Sequence, residues 1–198
     1  MTTPETPRIL FATGTTGSGK STLAGNLITK NGFCMLSADT TRYPRDSDLP
    51  GEFNHLTDEQ FDTIDPDDML YVAQHGVPAT AEQQRPARYT LLRSAVESAI
   101  ADRANHYTRP LAPKSTGILL REFGSVAVKV IYLPTPRNTE EVERRVIERG
   151  DDPSILAARM HEEANWIELA RQTPGIHIAE GTTIEELHQE ALELMGLQ

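Results

Sequence analysis

Apolar residues along this chain fall into short runs and helically spaced sets, and the two alternate. Arg8-Ile-Leu-Phe-Ala-Thr13 is apolar and is followed by a glycine, which predicts a short buried strand. From Lys20 to Lys30 the apolar positions Leu23, Leu27 and Ile28 have helical spacing, and the pattern stops before Asn31-Gly32. Phe33 to Leu36 predicts a second short strand. From Ser37 to about Pro86 the chain changes character and becomes acidic and rich in Pro, Gly and Asp. The one helix-like piece there is Asp58 to Ile64, so the stretch reads as a peripheral lobe. Tyr89 to Ala104 predicts a helix, with Leu92, Val96 and Ala99-Ile100 on one face, and His106 to Ala112 a strand that Pro110 weakens. Ser115 to Gly124 predicts a short helix, capped by Ser115 and closed by Gly124. Val126 to Leu133 is the strongest strand pattern. Helices are expected over Thr139 to Arg149, Pro153 to Arg171 and Ile184 to Met195, with a last strand at Ile176 to Ile178. Strands alternating with helices imply an α/β fold with a parallel sheet covered on both faces.

Composition narrows the function. The chain has 198 residues, enough for one well-buried domain, and a net charge of −10, which argues against nucleic acid or an anionic membrane as the main partner. Arginines cluster against that background at Arg42 and Arg45, at Arg144, Arg145 and Arg149, and at Arg159. The first residues, Met1 to Pro7, are polar and carry no signal-peptide pattern, which predicts a short frayed arm and a cytoplasmic location. The single cysteine, Cys34, excludes an internal disulfide and has no partners for a zinc site.

Between the first strand and the first helix stands Gly14-Thr15-Thr16-Gly17-Ser18-Gly19-Lys20-Ser21, a complete G-x-x-x-x-G-K-[ST] loop. Glycines let the backbone curl so that its N–H groups face phosphate oxygens. Lys20 brings a mobile positive charge to the β- and γ-phosphates, Ser21 offers a hydroxyl to Mg²⁺, and the helix that begins there adds the positive end of its dipole. Gly14 to Thr22 is therefore the expected nucleotide-binding segment.

With this loop in its G-x-x-G-x-G-K-S-T form, the chain resembles the guanylate kinase family of P-loop nucleoside-monophosphate kinases. Thr40-Thr-Arg-Tyr-Pro-Arg45 looks like the family's T-T-R-x-P-R segment, and Asp58-Glu-Gln-Phe61 like the helix after it. Tyr89, Arg93 and Val96 are similar to its Y-G-T-x-R-x-x-V stretch. Leu133-Pro-Thr-Pro and Glu140 to Gly150 look like the following strand and lid. The resemblance implies a P-loop kinase fold in one domain over 1–198. Its core would be 8–36 and 89–198, with an acceptor-binding lobe at about 37–88 and a helical lid at about 138–160. It also implies ATP with Mg²⁺ as donor, Lys20, Arg145, Arg149 and Arg159 as catalytic charges, and an acceptor site of Arg42, Arg45, Phe53, Tyr89 and Arg93. Phosphoryl transfer needs little covalent help beyond two phosphates held in line and the migrating charge neutralised, which such a set supplies.

Departures from the pattern concern the acceptor. Phe53 replaces a tyrosine whose hydroxyl reaches the acceptor phosphate, and Thr90-Leu91 stands where Gly-Thr is usual. The guanine-reading acid should fall near Tyr71, with Asp67 and Asp68 the nearest substitutes. Leu111 to Lys114 lacks the family's L-D-I-D carboxylates, and Val77 to Ala87 is an apparent insertion. The expectation is ATP-dependent phosphoryl transfer to a nucleoside monophosphate, GMP or dGMP first. The alternatives are another small phosphorylated acceptor, such as ribose 1,5-bisphosphate, and a non-catalytic module of the kind found in scaffold proteins. A hydrolytic ATPase or GTPase would want an acid after a hydrophobic strand, and none is evident. His161-Glu-Glu-Ala-Asn165 lacks the second histidine of a zinc motif and reads as surface helix.

Overall fold

The computed structural model describes residues 8–74, 85–102, 104–108, 112–134 and 163–197, together with 140, 142, 144, 147, 160 and 161. Its centre is a parallel sheet. Strands β1 (Ile9–Gly14), β2 (Cys34–Met35), β7 (His106–Thr108), β8 (Val128–Leu133) and β9 (Ile176–Ile178) lie in the order β2-β7-β1-β8-β9. Ile9 to Gly14 align with Val128 to Leu133, and Ile9 to Phe11 with His106 to Thr108. All six residues of β1 are buried, because the sheet has a neighbour on both edges of this strand and helices over both faces.

On one face, α1 (Lys20–Asn31) and the last helix, α6 (Ile184–Leu194), cover Leu10, Ala12 and Ile131. Leu23, Ala24 and Leu27 form the buried stripe of α1, which ends at Gly32 in a left-handed conformation with its N–H on the Leu27 carbonyl. Thr183 and Glu186 close a capping box at the start of α6. On the other face, α3 (Arg93–Ala101) and α4 (Pro113–Ala127) pack Val96, Ala99 and Leu119 against Ile9, Phe11, Val128 and Val130. α5 (Trp166–Gln172) leads into β9, with Trp166 and Ala170 packed beside Tyr132.

A second sheet is built from residues 38–90. Strands β3 (Ala38–Thr40), β4 (Phe53–His55), β5 (Ala73–Gln74) and β6 (Arg88–Thr90) lie in the order β4-β3-β6-β5, and α2 (Asp58–Asp62) follows β4. A capping box on Thr57 and Gln60 starts α2 and stabilises it by about 1 kcal/mol.

Three expectations are corrected. Tyr89 and Thr90 are strand, not the start of a helix, because they pair antiparallel with Thr40 and Asp39. The helix begins at Arg93, where Asp68 supplies the cap. Its carboxylate accepts from the Ser94 N–H (2.7 Å) and hydroxyl (2.6 Å), and its backbone oxygen accepts from Arg93 N–H (2.7 Å). The helix α4 starts at Pro113 rather than at a Ser115 cap. Proline suits a first turn whose N–H has no helical partner, and the buried Ser115 donates its N–H to the Ala112 oxygen. Gly124 (φ 75°) kinks α4 rather than ending it. The expected helix over 153–171 is interrupted by a turn at Ala164 and Asn165 before α5. The helix expected over 139–149 lies mostly outside the described residues, as do 109–111 and 75–84.

Candidate functional site

The phosphate loop leaves the C-terminal end of β1 and enters α1, the location at which open parallel sheets place their ligands. Two of its glycines are required by their surroundings. Gly14 has φ 141°, and a Cβ there would lie 2.2 Å from the Leu133 oxygen of the neighbouring strand. Gly17 has φ 78°, and a Cβ there would lie 2.8 Å from the Val142 side chain. Lys20 folds back over the curl. Its ammonium donates to the Gly14 and Thr15 oxygens at 2.7 and 2.6 Å and reaches the Ser18 hydroxyl at 3.3 Å. The long side chain thus holds its charge against the backbone oxygens at the start of the loop. Ser18 is buried, while Ser21 is half-buried and Thr22 exposed in the first turn of α1. Tyr107 on β7 donates its hydroxyl to the Lys20 oxygen (2.9 Å), pinning that turn to the sheet, and burial pushes the phenol far above its usual range.

Two residues grip the loop from distant parts of the chain. Val142, fully buried and packed with Met160, abuts Gly17. Glu163, also buried, accepts from the Thr16 N–H at 2.6 Å and from the Thr16 hydroxyl at 2.9 Å. Burial, and after it the Glu163 charge, pushes the phenol of Tyr132 up to about 12. The reading of His161 to Asn165 as surface helix holds for the exposed His161 and fails for Glu163. The available signal was spacing: Glu163, Trp166 and Ala170 lie three and four apart, so the acid stands on the apolar stripe.

The expected acceptor residues divide. Arg42, two residues beyond β3, comes together with Phe53 on β4 and Tyr89 on β6. The Arg42 guanidinium stacks 4.8 Å from the centre of the Phe53 ring, and Tyr89 meets that ring edge-on at 6.1 Å. Arg42 is 4% exposed and forms an ion pair with Asp48 at 2.6 Å, a partner that the sequence pattern did not suggest. Asp48 also accepts from the Arg45 N–H (2.9 Å), and the His55 Nδ1–H donates to the Arg42 oxygen (2.7 Å). Arg93 instead bridges to Glu122 on α4 at 3.0 Å. Tyr71, near which the base-reading acid was sought, is buried. Asp68 is committed to the α3 cap, and the hydrogen bonds from the Ser94 side chain and then its N–H hold its carboxyl below the usual range. Arg145, Arg149 and Arg159 lie outside the described residues.

A cavity of about 340 Å³ opens between α3, β4 and the β2–β3 connection, lined by Asp39, Asn54, Ser98 and His106 among others. His106 is level with Ile9, at the opposite end of β1 from the phosphate loop, so this cavity is not the phosphate site. Among the described residues no group of three or more His, Cys, Asp or Glu side chains gathers as a metal site, and no helix is long and apolar enough to cross a membrane.

Comparison with solved structures places this architecture. The chain is similar to a guanylate kinase from Anaplasma phagocytophilum, with a TM-score of 0.67 and 16% identity over 98% of this chain and 86% of that one. It is also similar to a sugar kinase from a Janibacter species, with a TM-score of 0.52 and 18% identity over 96% and 95% of the two chains. The fold is that of the P-loop kinases. No protein-family model and no curated protein matches the chain.

Proposed function

We propose that the chain transfers the terminal phosphoryl group of ATP to a small phosphorylated acceptor, a nucleoside monophosphate with GMP and dGMP first. The observation that carries this reading is the loop. Lys20 is held at the Gly14 and Thr15 oxygens, in a curl where a Cβ on Gly14 would meet the Leu133 oxygen and one on Gly17 the Val142 side chain. In that position its ammonium faces the developing negative charge of a transferring phosphoryl group, the kind of preorganised electrostatic contact that contributes most to such reactions. The donor set also fits Mg²⁺. A single protein hydroxyl, Ser21, stands beside a polyphosphate site, and Mg²⁺ is held mainly by phosphate oxygens and water with few protein ligands. When bound, the ion would neutralise phosphate charge. Lys20, the loop N–H groups and Ser21 orient the donor. Arg42 and Arg45, beside Phe53 and Tyr89, receive the acceptor's phosphate, and Arg145, Arg149 and Arg159 supply further charge. An acceptor that already carries a phosphate oxygen nucleophile needs no general base.

One observation favours a second reading, a kinase of a sugar phosphate. Asp68 has both carboxylate oxygens on Ser94, so one of the two nearest candidates for reading guanine, Asp67 and Asp68, is engaged elsewhere. A non-catalytic module has little need of the intact loop and its lysine. The test is release of ADP from Mg·ATP against a panel of nucleoside monophosphates and ribose phosphates. Turnover with GMP or dGMP is expected. Turnover with a ribose phosphate alone moves the acceptor to the second reading, and nucleotide binding without turnover on any acceptor rejects both.

A further inference from the structure

A buried carboxylate is costly unless its lone pairs are matched by donors. Glu163 is 6% exposed, and among the described residues the hydrogen bonds of both its oxygens go to one residue, Thr16. The bonds are charge-assisted, and one of them uses a backbone N–H of the phosphate loop itself. That N–H is thereby withdrawn from the ligand. One residue further, Val142 leaves no room beside Gly17. Thr16 and Gly17 are thus held from outside the loop by side chains more than a hundred positions away in sequence. Within the loop, Lys20 ties down the Gly14 and Thr15 oxygens, while three of the eight residues, Gly14, Gly17 and Gly19, adopt positive φ and have no side chain to stiffen the backbone.

We propose that Glu163 is a positioning residue of the donor site. Acting through Thr16, it holds the tip of the phosphate loop in its working shape before nucleotide arrives. The proposal rests on reading Gly14 to Ser21 as the triphosphate site. Glu163 touches neither donor nor acceptor; its effect passes through the loop backbone. Misplacing a donor group by about 1 Å costs on the order of 100-fold in rate, so the residue acts on kcat and on donor affinity rather than on the acceptor.

The test uses the full chain and four variants: Glu163→Ala, Glu163→Gln, Thr16→Val and the double variant Thr16→Val/Glu163→Ala. Measured are kcat, KM for ATP and for the acceptor, the affinity for the fluorescent nucleotide mant-ADP, and the thermal midpoint. Glu163→Ala is expected to lower kcat by roughly 10- to 100-fold, with the acceptor KM unchanged. Glu163→Gln recovers most of the loss, because its amide oxygen still accepts from the Thr16 N–H and its NH₂ can donate to the hydroxyl oxygen. Thr16→Val loses a few-fold, and the double variant loses no more than Glu163→Ala, since both remove the same contact.

Wild-type kcat in Glu163→Ala overturns the proposal. So do losses that multiply in the double variant, or a Glu163→Gln as impaired as Glu163→Ala with a matching fall in midpoint, which marks a role in the fold alone. If the wild type binds mant-ADP but turns over no acceptor, the transfer reading fails and the affinities decide this proposal. A roughly 10-fold weakening in Glu163→Ala restored in Glu163→Gln supports it, and equal affinities overturn it. A wild type that binds no mant-ADP removes the donor site and this proposal with it.

Discussion

The phosphate loop and the second sheet manage charge in opposite ways. In the loop, Lys20 is held by neutral backbone oxygens of Gly14 and Thr15, within the same eight-residue motif. In the second sheet, arginines are matched with acids. Arg42 pairs with Asp48, and Arg88 pairs with Asp58 at 2.8 Å and Asp62 at 2.5 Å while stacking on Phe61. A cation presented by carbonyls is poised for an incoming anion. A guanidinium already bonded to a carboxylate must share or exchange that partner when a phosphate arrives. Under the proposed function, the donor half is preorganised by backbone, and the acceptor half by side-chain pairs whose rearrangement would be part of binding.

The largest effect expected from this contrast is at Lys20. Lys20→Ala removes the one mobile cation of the loop and lowers kcat on the order of 10³-fold, with the fold retained and a modest fall in thermal midpoint from the lost hydrogen bonds within the loop. Full activity in that variant would dissolve the distinction between the halves. Arg42→Ala comes next and mixes two effects. It leaves Asp48 half-buried without its cation, which destabilises the chain by about 3 kcal/mol, and it raises the acceptor KM while leaving the ATP KM in place. Paired measurement of both KM values and of denaturant unfolding separates these effects, and a rise in the ATP KM instead would put Arg42 on the wrong side of the comparison.

Gly17→Ala tests the backbone origin of the donor half. With φ at 78° and Val142 against the new methyl, the cost is about 1–3 kcal/mol, visible as a lower thermal midpoint and weaker nucleotide binding together. The smallest effect concerns pH. The folded pKa of Asp68 is depressed, first by the Ser94 hydroxyl and then by its N–H, so the cap it gives α3 is present above the ordinary carboxylate pKa. It is lost as pH falls through the depressed folded value. The protection factor of the Ser94 N–H, its exchange relative to unstructured chain at the same pH, is expected to fall on acidification through that range, and Asp68→Asn is expected to flatten this dependence. Amides in the first turn of α1, which carries no acidic residue, provide the internal comparison.

What could be read in the sequence follows the same division. β1, the loop and α1 were legible because strand, glycines, lysine and helix stripe are contiguous, and their geometry is decided within about twenty residues. Tyr89 and Thr90 were misread because the helical spacing of Leu92, Val96 and Ala99 runs backward across them, while their strand partners lie at Asp39 and Thr40, some fifty residues away. Asp48 was invisible as the partner of Arg42 because nothing in an acidic, proline-rich stretch singles out one aspartate. Glu163 was hidden for a related reason. An acid beside His161 and Glu162 looks solvated until the helix phase is read from Trp166 and Ala170. Ser115 looked like a cap because serine favours that place, but Pro113 had already begun the helix. At Tyr89, Thr90 and Glu163, a contact distant in sequence overrode a local preference.

The central claim is that the loop hands its phosphoryl group to a phosphorylated acceptor. The most direct measurement follows the label from γ-³²P-ATP with Mg²⁺ and GMP present. The account predicts radioactive GDP, formed in step with ADP and absent in Lys20→Ala. Label that appears only in inorganic phosphate, or remains in ATP across nucleoside monophosphates and ribose phosphates alike, would contradict it.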